Sequence, residues 1–122
     1  VIVSVVLLID DEPAMGSLLS MSLEDSGARI VQVDDLPGAV AAAREERPKA
    51  VLLDLALGKE DGLALLPRLR EEPSLSEVPI IIFSIHESRE REALDEGADG
   101  FVAKPFKAAE LHDVLAEYIG PA

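Results

Sequence analysis

Five residues with chemical reach stand at the ends of short apolar runs in this 122-residue chain. Asp10 and Asp11 follow the run 1–9, Asp54 follows 50–53, Ser84 follows 79–83, and Lys104 follows 101–103. Three carboxylates held close together repel one another, and a hard divalent cation relieves that repulsion. An all-oxygen donor set, with no His or Cys beside it, suits Mg2+. A carboxylate next to such a metal can also act as a nucleophile and accept a phosphoryl group as an acyl phosphate. Asp54, alone at its strand end and between the other two groups, is the expected nucleophile. Lys104 offers a point charge, and Ser84 a hydrogen-bond donor, to the charge developing on phosphoryl oxygens. Taken singly, each residue has a plainer reading: acids favour the first turn of a helix, and a lone Asp, Ser or Lys is most often ordinary surface. Their shared placement at four strand ends argues for one site.

The elements that must position them follow from the same runs. A short run rich in Val and Ile, followed by a helix-like stretch, reads as a buried parallel strand. Parallel strands all end at one edge, so the five residues converge there. Turn signals divide the chain into five strand–helix units. In the first, Glu12 and Pro13 open a helix, Met15, Leu18, Leu19 and Leu23 recur at helical spacing, and Gly27 is expected to end it. The second runs from strand 29–33 to an Ala-rich helix ending before Pro48. The third passes from 50–53 through a loop with Gly58 and Gly62 to a helix carrying Leu63, Leu66 and Leu69. The fourth passes from 78–83 to a helix at about 88–96, closed by Gly97. The fifth ends in a helix whose Leu111, Val114, Leu115 and Tyr118 form one apolar stripe.

Five such units predict an α/β fold: a flavodoxin-like, doubly wound sheet of five parallel strands in the order 2-1-3-4-5, with five helices. In that order the winding reverses between strands 1 and 3, and Asp10, Asp11 and Asp54 fall at the crevice this opens.

Composition narrows the function. Residues 1–122 suffice for a single domain, and an apolar fraction of 48% supports a packed core. With 24 acids against 11 bases the net charge is −13, which excludes direct nucleic-acid binding. The absence of cysteine excludes disulfides and thiolate metal sites and suits a cytoplasmic protein. The apolar start is far shorter than the roughly 20 residues a membrane span needs. The chain opens on Val rather than Met, as expected of a trimmed stand-alone domain or a piece of something longer.

The segments VVLLIDDEP, VLLDLALGKEDGLALL, VPIIIFS and GADGFVAKPF, in that order and spacing, resemble the receiver domain of two-component response regulators. The resemblance covers essentially the whole chain. It implies that Asp54 is the phosphorylated aspartate and also a ligand of Mg2+ (or Mn2+), that Asp11 binds the same ion directly, and that Asp10 acts through water. It gives the backbone carbonyl of Ala56 to the same metal, sets Ser84 and Lys104 against the phosphoryl group, and makes Ser84 and Phe101 the moving switch pair. It also places Asp61-Gly62 in the loop after the phosphorylation site. The implied function is a phosphorylation-dependent signalling switch. A histidine kinase or phosphotransfer protein donates the phosphoryl group from phosphohistidine. The face made by the fourth helix, fifth strand and fifth helix then shifts toward a downstream effector protein or domain. Such a module catalyses its own transfer and slow hydrolysis without being a turnover enzyme.

A receiver-like interaction module that works without phosphorylation is the alternative. A phosphatase of the haloacid dehalogenase type would need a second Asp where Ala56 stands. Four departures from the family pattern bear on function. Gly58 replaces a frequent proline, so a looser loop is expected. Ile85 replaces a small residue and is expected to gate access to the site. Gly100 and Val114 stand where winged-helix regulators carry an Asp and an Arg of a charged dimer surface. His86, close to the site, is expected to be a solvent-facing loop residue.

Overall fold

A computed structural model describes residues 4–23 and 27–119. Five apolar segments form parallel strands: β1 (Ser4–Ile9), β2 (Ala28–Val33), β3 (Ala50–Asp54), β4 (Ile80–Ser84) and β5 (Gly100–Ala103). They pair in one sheet in the order β2-β1-β3-β4-β5, as the five-unit pattern predicts. Five α-helices follow them: α1 (Pro13–Ser22), α2 (Leu36–Glu46), α3 (Leu65–Arg70), α4 (Glu90–Asp95) and α5 (Ala108–Ile119).

Side chains alternate across a strand, so the central strands feed two cores. Leu7, Ile9, Val51, Leu53, Ile80 and Ile82 pack on one face with Ala39 and Ala43 of α2, Leu66 and Leu69 of α3, and Ala93 of α4. Val6, Leu8, Leu52, Ile81 and Phe83 pack on the other with Met15 and Leu19 of α1 and Leu111 and Leu115 of α5. β3 is buried along its whole length, Asp54 included. A carboxylate at the end of such a strand is held by a backbone that has no room to move.

Several boundaries differ from the sequence expectation. The apolar run 1–9 gives a strand only from Ser4, its first three residues lying outside the described ones. α1 stops at Ser22 with Leu23 as its cap, whose N–H donates to the Leu19 carbonyl, so Gly27 does not end it. Leu18 is 50% exposed because the apolar stripe of α1 is narrower than its sequence spacing suggests. Leu63 lies in a 3-10 turn, Gly62–Ala64, before α3. The fourth helix begins as a 3-10 turn, Glu87–Arg89, and becomes α-helical only at Glu90.

The loop after Asp54 is more ordered than the missing proline suggests. Ala56–Leu57 pairs antiparallel with Glu60–Asp61, and Gly58 turns the ribbon at φ +59°. Proline, fixed near −65°, could not adopt that turn. Gly62 then returns the chain beneath the end of β3, its N–H donating to the Leu55 carbonyl at 2.6 Å. A Cβ at Gly62 would overlap the Asp54 carbonyl oxygen and press on the Leu55 Cα. Gly62→Ala should therefore destabilise the protein by about 1–3 kcal/mol, the usual range for overpacking against rigid backbone. Urea unfolding checks this, and a variant as stable as wild type would show that the ribbon can retreat.

Candidate functional site

β1 and β3 are neighbours at the point where the sheet reverses its winding, and their C-terminal ends deliver Asp10 and Asp54 to one cleft. The cleft encloses about 230 Å³ and is lined by Asp10, Asp11, Glu12, Asp54, Ala56, Ser84, Ile85, His86 and Lys104. The acids, hydroxyl and amine that stand at four separate strand ends in the sequence therefore share one wall.

Asp54 is only 6% exposed. Its Oδ1 accepts from the Ala56 N–H at 3.0 Å, and its Oδ2 accepts from Lys104 Nζ at 3.1 Å. Lys104 Nζ also lies 3.8 Å from Asp10 Oδ2 and 4.3 Å above the centre of the Phe83 ring. The ring face adds a cation–π attraction that keeps the ammonium over the cleft. Ser84 is buried, and its hydroxyl accepts from the His86 N–H at 3.0 Å.

Asp10 and Asp11 differ sharply although adjacent. Asp11 is exposed at the cleft edge, near Gly58 of the ribbon. Asp10 is buried: its Oδ1 accepts from the Glu12 N–H at 2.8 Å, and its Oδ2 has no hydrogen-bond partner. Burial raises the Asp10 pKa to about 6; the Glu12 N–H opposes this, the nearby Asp54 charge adds to it, and Lys104 opposes it. A buried, unpartnered carboxylate oxygen facing a second carboxylate is a group a cation would satisfy.

Among the described residues no three His, Cys, Asp or Glu side chains are gathered into a ready-made metal cage. Mg2+ does not need one, since it keeps several waters and takes only one or two carboxylates. The all-oxygen donor set and the orphaned Asp10 oxygen fit such an ion.

The remaining predicted residues fall around this centre. Ala56 lines the cleft and Ile85, 66% exposed, stands at its mouth. Phe101 is half-buried against the core that also contains Ala93 of α4. Asp61 accepts two bonds from the Arg89 guanidinium, at 3.0 and 2.8 Å, which hold its carboxyl below the usual range. His86 is exposed, as expected of a loop residue. Sequence reasoning did not single out Gln32, Phe83 or Arg89. An apolar run hides Phe83, and no spacing signal marks the other two.

With this geometry in place, comparison with known proteins defines the class. Residues 6–116 match the response regulator receiver domain, and the chain belongs to that family. The KDP operon transcriptional regulatory protein KdpE of Escherichia coli is 36% identical over 108 residues, covering 87% of this chain and 47% of that protein. The chain spans about half the length of the curated relatives it matches first. The receiver domain of the sensor histidine kinase PA1611 from Pseudomonas aeruginosa is 30% identical, with a TM-score of 0.82 over 98% of this chain and 99% of that one. That crystal structure has a magnesium ion coordinated in its active-site cleft. NtrX from Brucella abortus is 31% identical, with a TM-score of 0.84 over 97% of this chain and 28% of its own.

The Asp10 carboxyl sets a pH dependence. Its folded pKa, about 6, lies above the ordinary 3.8, so the ionised form costs stability above pH 6 and the cost vanishes below about pH 4. In EDTA, Asp10→Asn should therefore be more stable than wild type at pH 7–8, by on the order of 2 kcal/mol, with no advantage near pH 4. Urea midpoints across that range test it. An Asn variant with no advantage at neutral pH would mean that Lys104 fully compensates the buried charge.

Proposed function

We propose that the chain is a phosphorylation-dependent signalling switch in which Asp54 accepts a phosphoryl group from the phosphohistidine of a histidine kinase or phosphotransfer protein. The observation that carries this reading is the Asp54 carboxylate, fixed at the end of a buried strand and 3.1 Å from Lys104 in a cleft that also holds the unpartnered Asp10 oxygen. An Asp54 oxygen attacks phosphorus as the P–N bond of phosphohistidine breaks, giving an acyl phosphate and free imidazole. Asp11, Asp54 and the Ala56 carbonyl are the residues that would hold Mg2+, with Asp10 acting through water. When bound, that ion offsets charge on the phosphoryl oxygens.

Lys104 then exchanges its Asp54 contact for a phosphoryl oxygen, and the Ser84 hydroxyl exchanges its bond with His86 for another. Phe101 and α4 respond because Phe101 lies beside Ile82 of the strand that Ser84 ends and packs on the core that contains Ala93. α4 buries only Ala93, with Leu94 40% exposed, so little apolar contact resists its displacement. The moved surface of α4, β5 and α5 meets a downstream effector protein or domain. The chain's own chemistry is then self-catalysed transfer and slow hydrolysis, performed in the cytoplasm. Among the described residues no helix is long and apolar enough to cross a membrane.

Two measurements test the reading. Wild type should take up label from phosphorylated kinase or acetyl phosphate in the presence of Mg2+, and Asp54→Asn should take up none while remaining folded. Lys104→Ala should still accept label, with partner binding no longer responding to it. Unlabelled wild type that binds its partner regardless would establish the phosphorylation-independent module instead.

Ile85 adds a kinetic expectation. Its β-branched side chain is stiff at χ1 and borders both the cleft and an apolar groove of about 380 Å³ formed with Met15, Leu18 and Phe106. It narrows the path both for a small donor and for the water that hydrolyses the acyl phosphate. Ile85→Ala should speed phosphorylation by acetyl phosphate and shorten the lifetime of the phosphorylated state, each by several-fold. If neither rate rises in a folded variant, Ile85 is no gate.

A further inference from the structure

We propose that Gln32 of β2 is a positioning residue that sets the acidic loop of the cleft, with its carboxamide acting as the missing cap of α1. The proposal rests on the reading of Asp10 and Asp11 as the cation-binding acids.

α1 begins without the usual side-chain cap. Its N-cap residue, Glu12, makes no capping hydrogen bond, and proline occupies the first turn. The first turns of any helix leave backbone N–H groups unpaired, and they need partners from outside the helix. Here the Met15 N–H donates to the Glu12 carbonyl at 3.0 Å, closing a 3-10 turn. The next N–H, that of Gly16, donates instead to Gln32 Oε1 at 2.9 Å. The cap thus comes from a neighbouring strand sixteen residues along the chain.

The other end of the same carboxamide grips the acids. Gln32 Nε2 donates to the Asp10 carbonyl and to the Glu12 carbonyl, both at 2.8 Å. Asp11 lies between those two anchor points. All three bonds engage the loop from Asp10 to Gly16, so one planar group fixes its beginning, its middle and the start of the helix. The loop in turn orients Asp10, whose Oδ1 is held by the Glu12 N–H while its Oδ2 is left facing the cleft. Only an amide can do this, because it donates two N–H bonds and accepts a third. A carboxylate would meet two carbonyl oxygens with no proton to offer. Gln32 therefore stands to the acids as outer groups stand to metal-binding side chains generally: it touches neither substrate nor ion and sets the geometry of the groups that do.

Gly16 completes the arrangement. A Cβ there would overlap Gln32 Oε1, the movable end of that side chain, so any larger residue at 16 displaces the carboxamide from this position. This separates the proposal from a purely structural role. Alanine is the better helix former, so on helix propensity alone Gly16→Ala should stabilise α1. If the carboxamide positions the acids, the same substitution should weaken Mg2+ binding.

The test is Mg2+ titration by calorimetry on wild type, Gln32→Leu, Gln32→Glu and Gly16→Ala, with Tyr118→Phe as a control that removes a hydrogen bond far from the cleft. All three cleft variants should bind Mg2+ about tenfold more weakly, within the range for losing an outer partner of a metal ligand. Their phosphorylation by acetyl phosphate should be slow at limiting Mg2+ and recover at saturating Mg2+, whereas Tyr118→Phe should bind Mg2+ as wild type does. In wild type the Gly16 amide should resist hydrogen exchange. A freely exchanging Gly16 amide overturns the cap whether or not any variant folds. Folded variants with Mg2+ affinity within twofold of wild type overturn the positioning role. Wild type that binds no Mg2+ and takes no label overturns the reading of the acids themselves, a result distinct from either.

Discussion

The Lys104 ammonium sits between two buried carboxylates, 3.1 Å from Asp54 and 3.8 Å from Asp10, and the geometry of the cleft depends on that arrangement. Two acids withdrawn from water cannot both ionise cheaply, and a cation between them returns part of the desolvation cost. The ammonium stands nearer Asp54 than Asp10, and Asp10 keeps a raised pKa, through burial first and the Asp54 charge besides. The contact exists because the parallel register sets Asp54 level with Phe83 and Phe83 level with Val102, so the lysine that follows β5 reaches Asp54 across the end of β4. The Lys104 N–H bond to the Ser84 carbonyl, at 2.8 Å, holds the ends of β4 and β5 together just past the sheet. Shifting β5 by one residue would turn the lysine to the other face and leave two buried acids uncompensated.

The molecule is anchored unequally around that centre. β1, β3 and β4 are buried almost throughout, so the carboxylates and the serine ride on backbone that cannot drift. α4 buries one residue, Ala93, and its approach is tied down by the ion pairs of Arg89 with Asp61 and Glu92. Partly exposed ion pairs contribute about 0–1 kcal/mol each, far less than a packed apolar face. The helix nearest the serine is therefore the cheapest large element to move. Rigid chemistry beside a loosely held helix is the division a switch requires.

Close backbone approach accounts for much of the rest. Gly58 turns the ribbon after Asp54, Gly62 passes under the Asp54 carbonyl, and Gly16 leaves space for the Gln32 carboxamide. At Gly62 and Gly16 the absent Cβ lets a polar oxygen approach the main chain near the acids, whereas Gly58 serves a positive φ. Gly100 has a similar relation to Tyr118, whose hydroxyl donates to the Asp99 carbonyl at 2.8 Å.

The five-unit order, the parallel sheet and the convergence of Asp10, Asp11, Asp54, Ser84 and Lys104 were legible in the chain because strand runs and their end residues are local signals. Hydrophobic period and turn residues fix where a strand stops, and parallel pairing puts all the stops on one edge. The unequal burial of Asp10 and Asp11 was not legible, because adjacent identical residues differ only in what packs around them. The ribbon at Gly58 was missed because its partner strand is two residues long, too short for any periodic signal. Gln32 and Arg89 were invisible for a related reason. Their partners lie 16 and 28 positions away in the chain, and a single polar residue carries no mark of the neighbour it will reach. The sequence by itself determined which groups meet, since strand ends obey local rules; burial, and the long-range hydrogen bonds that aim each group, were decided only by the tertiary structure, because they belong to pairs of segments and to neither one alone.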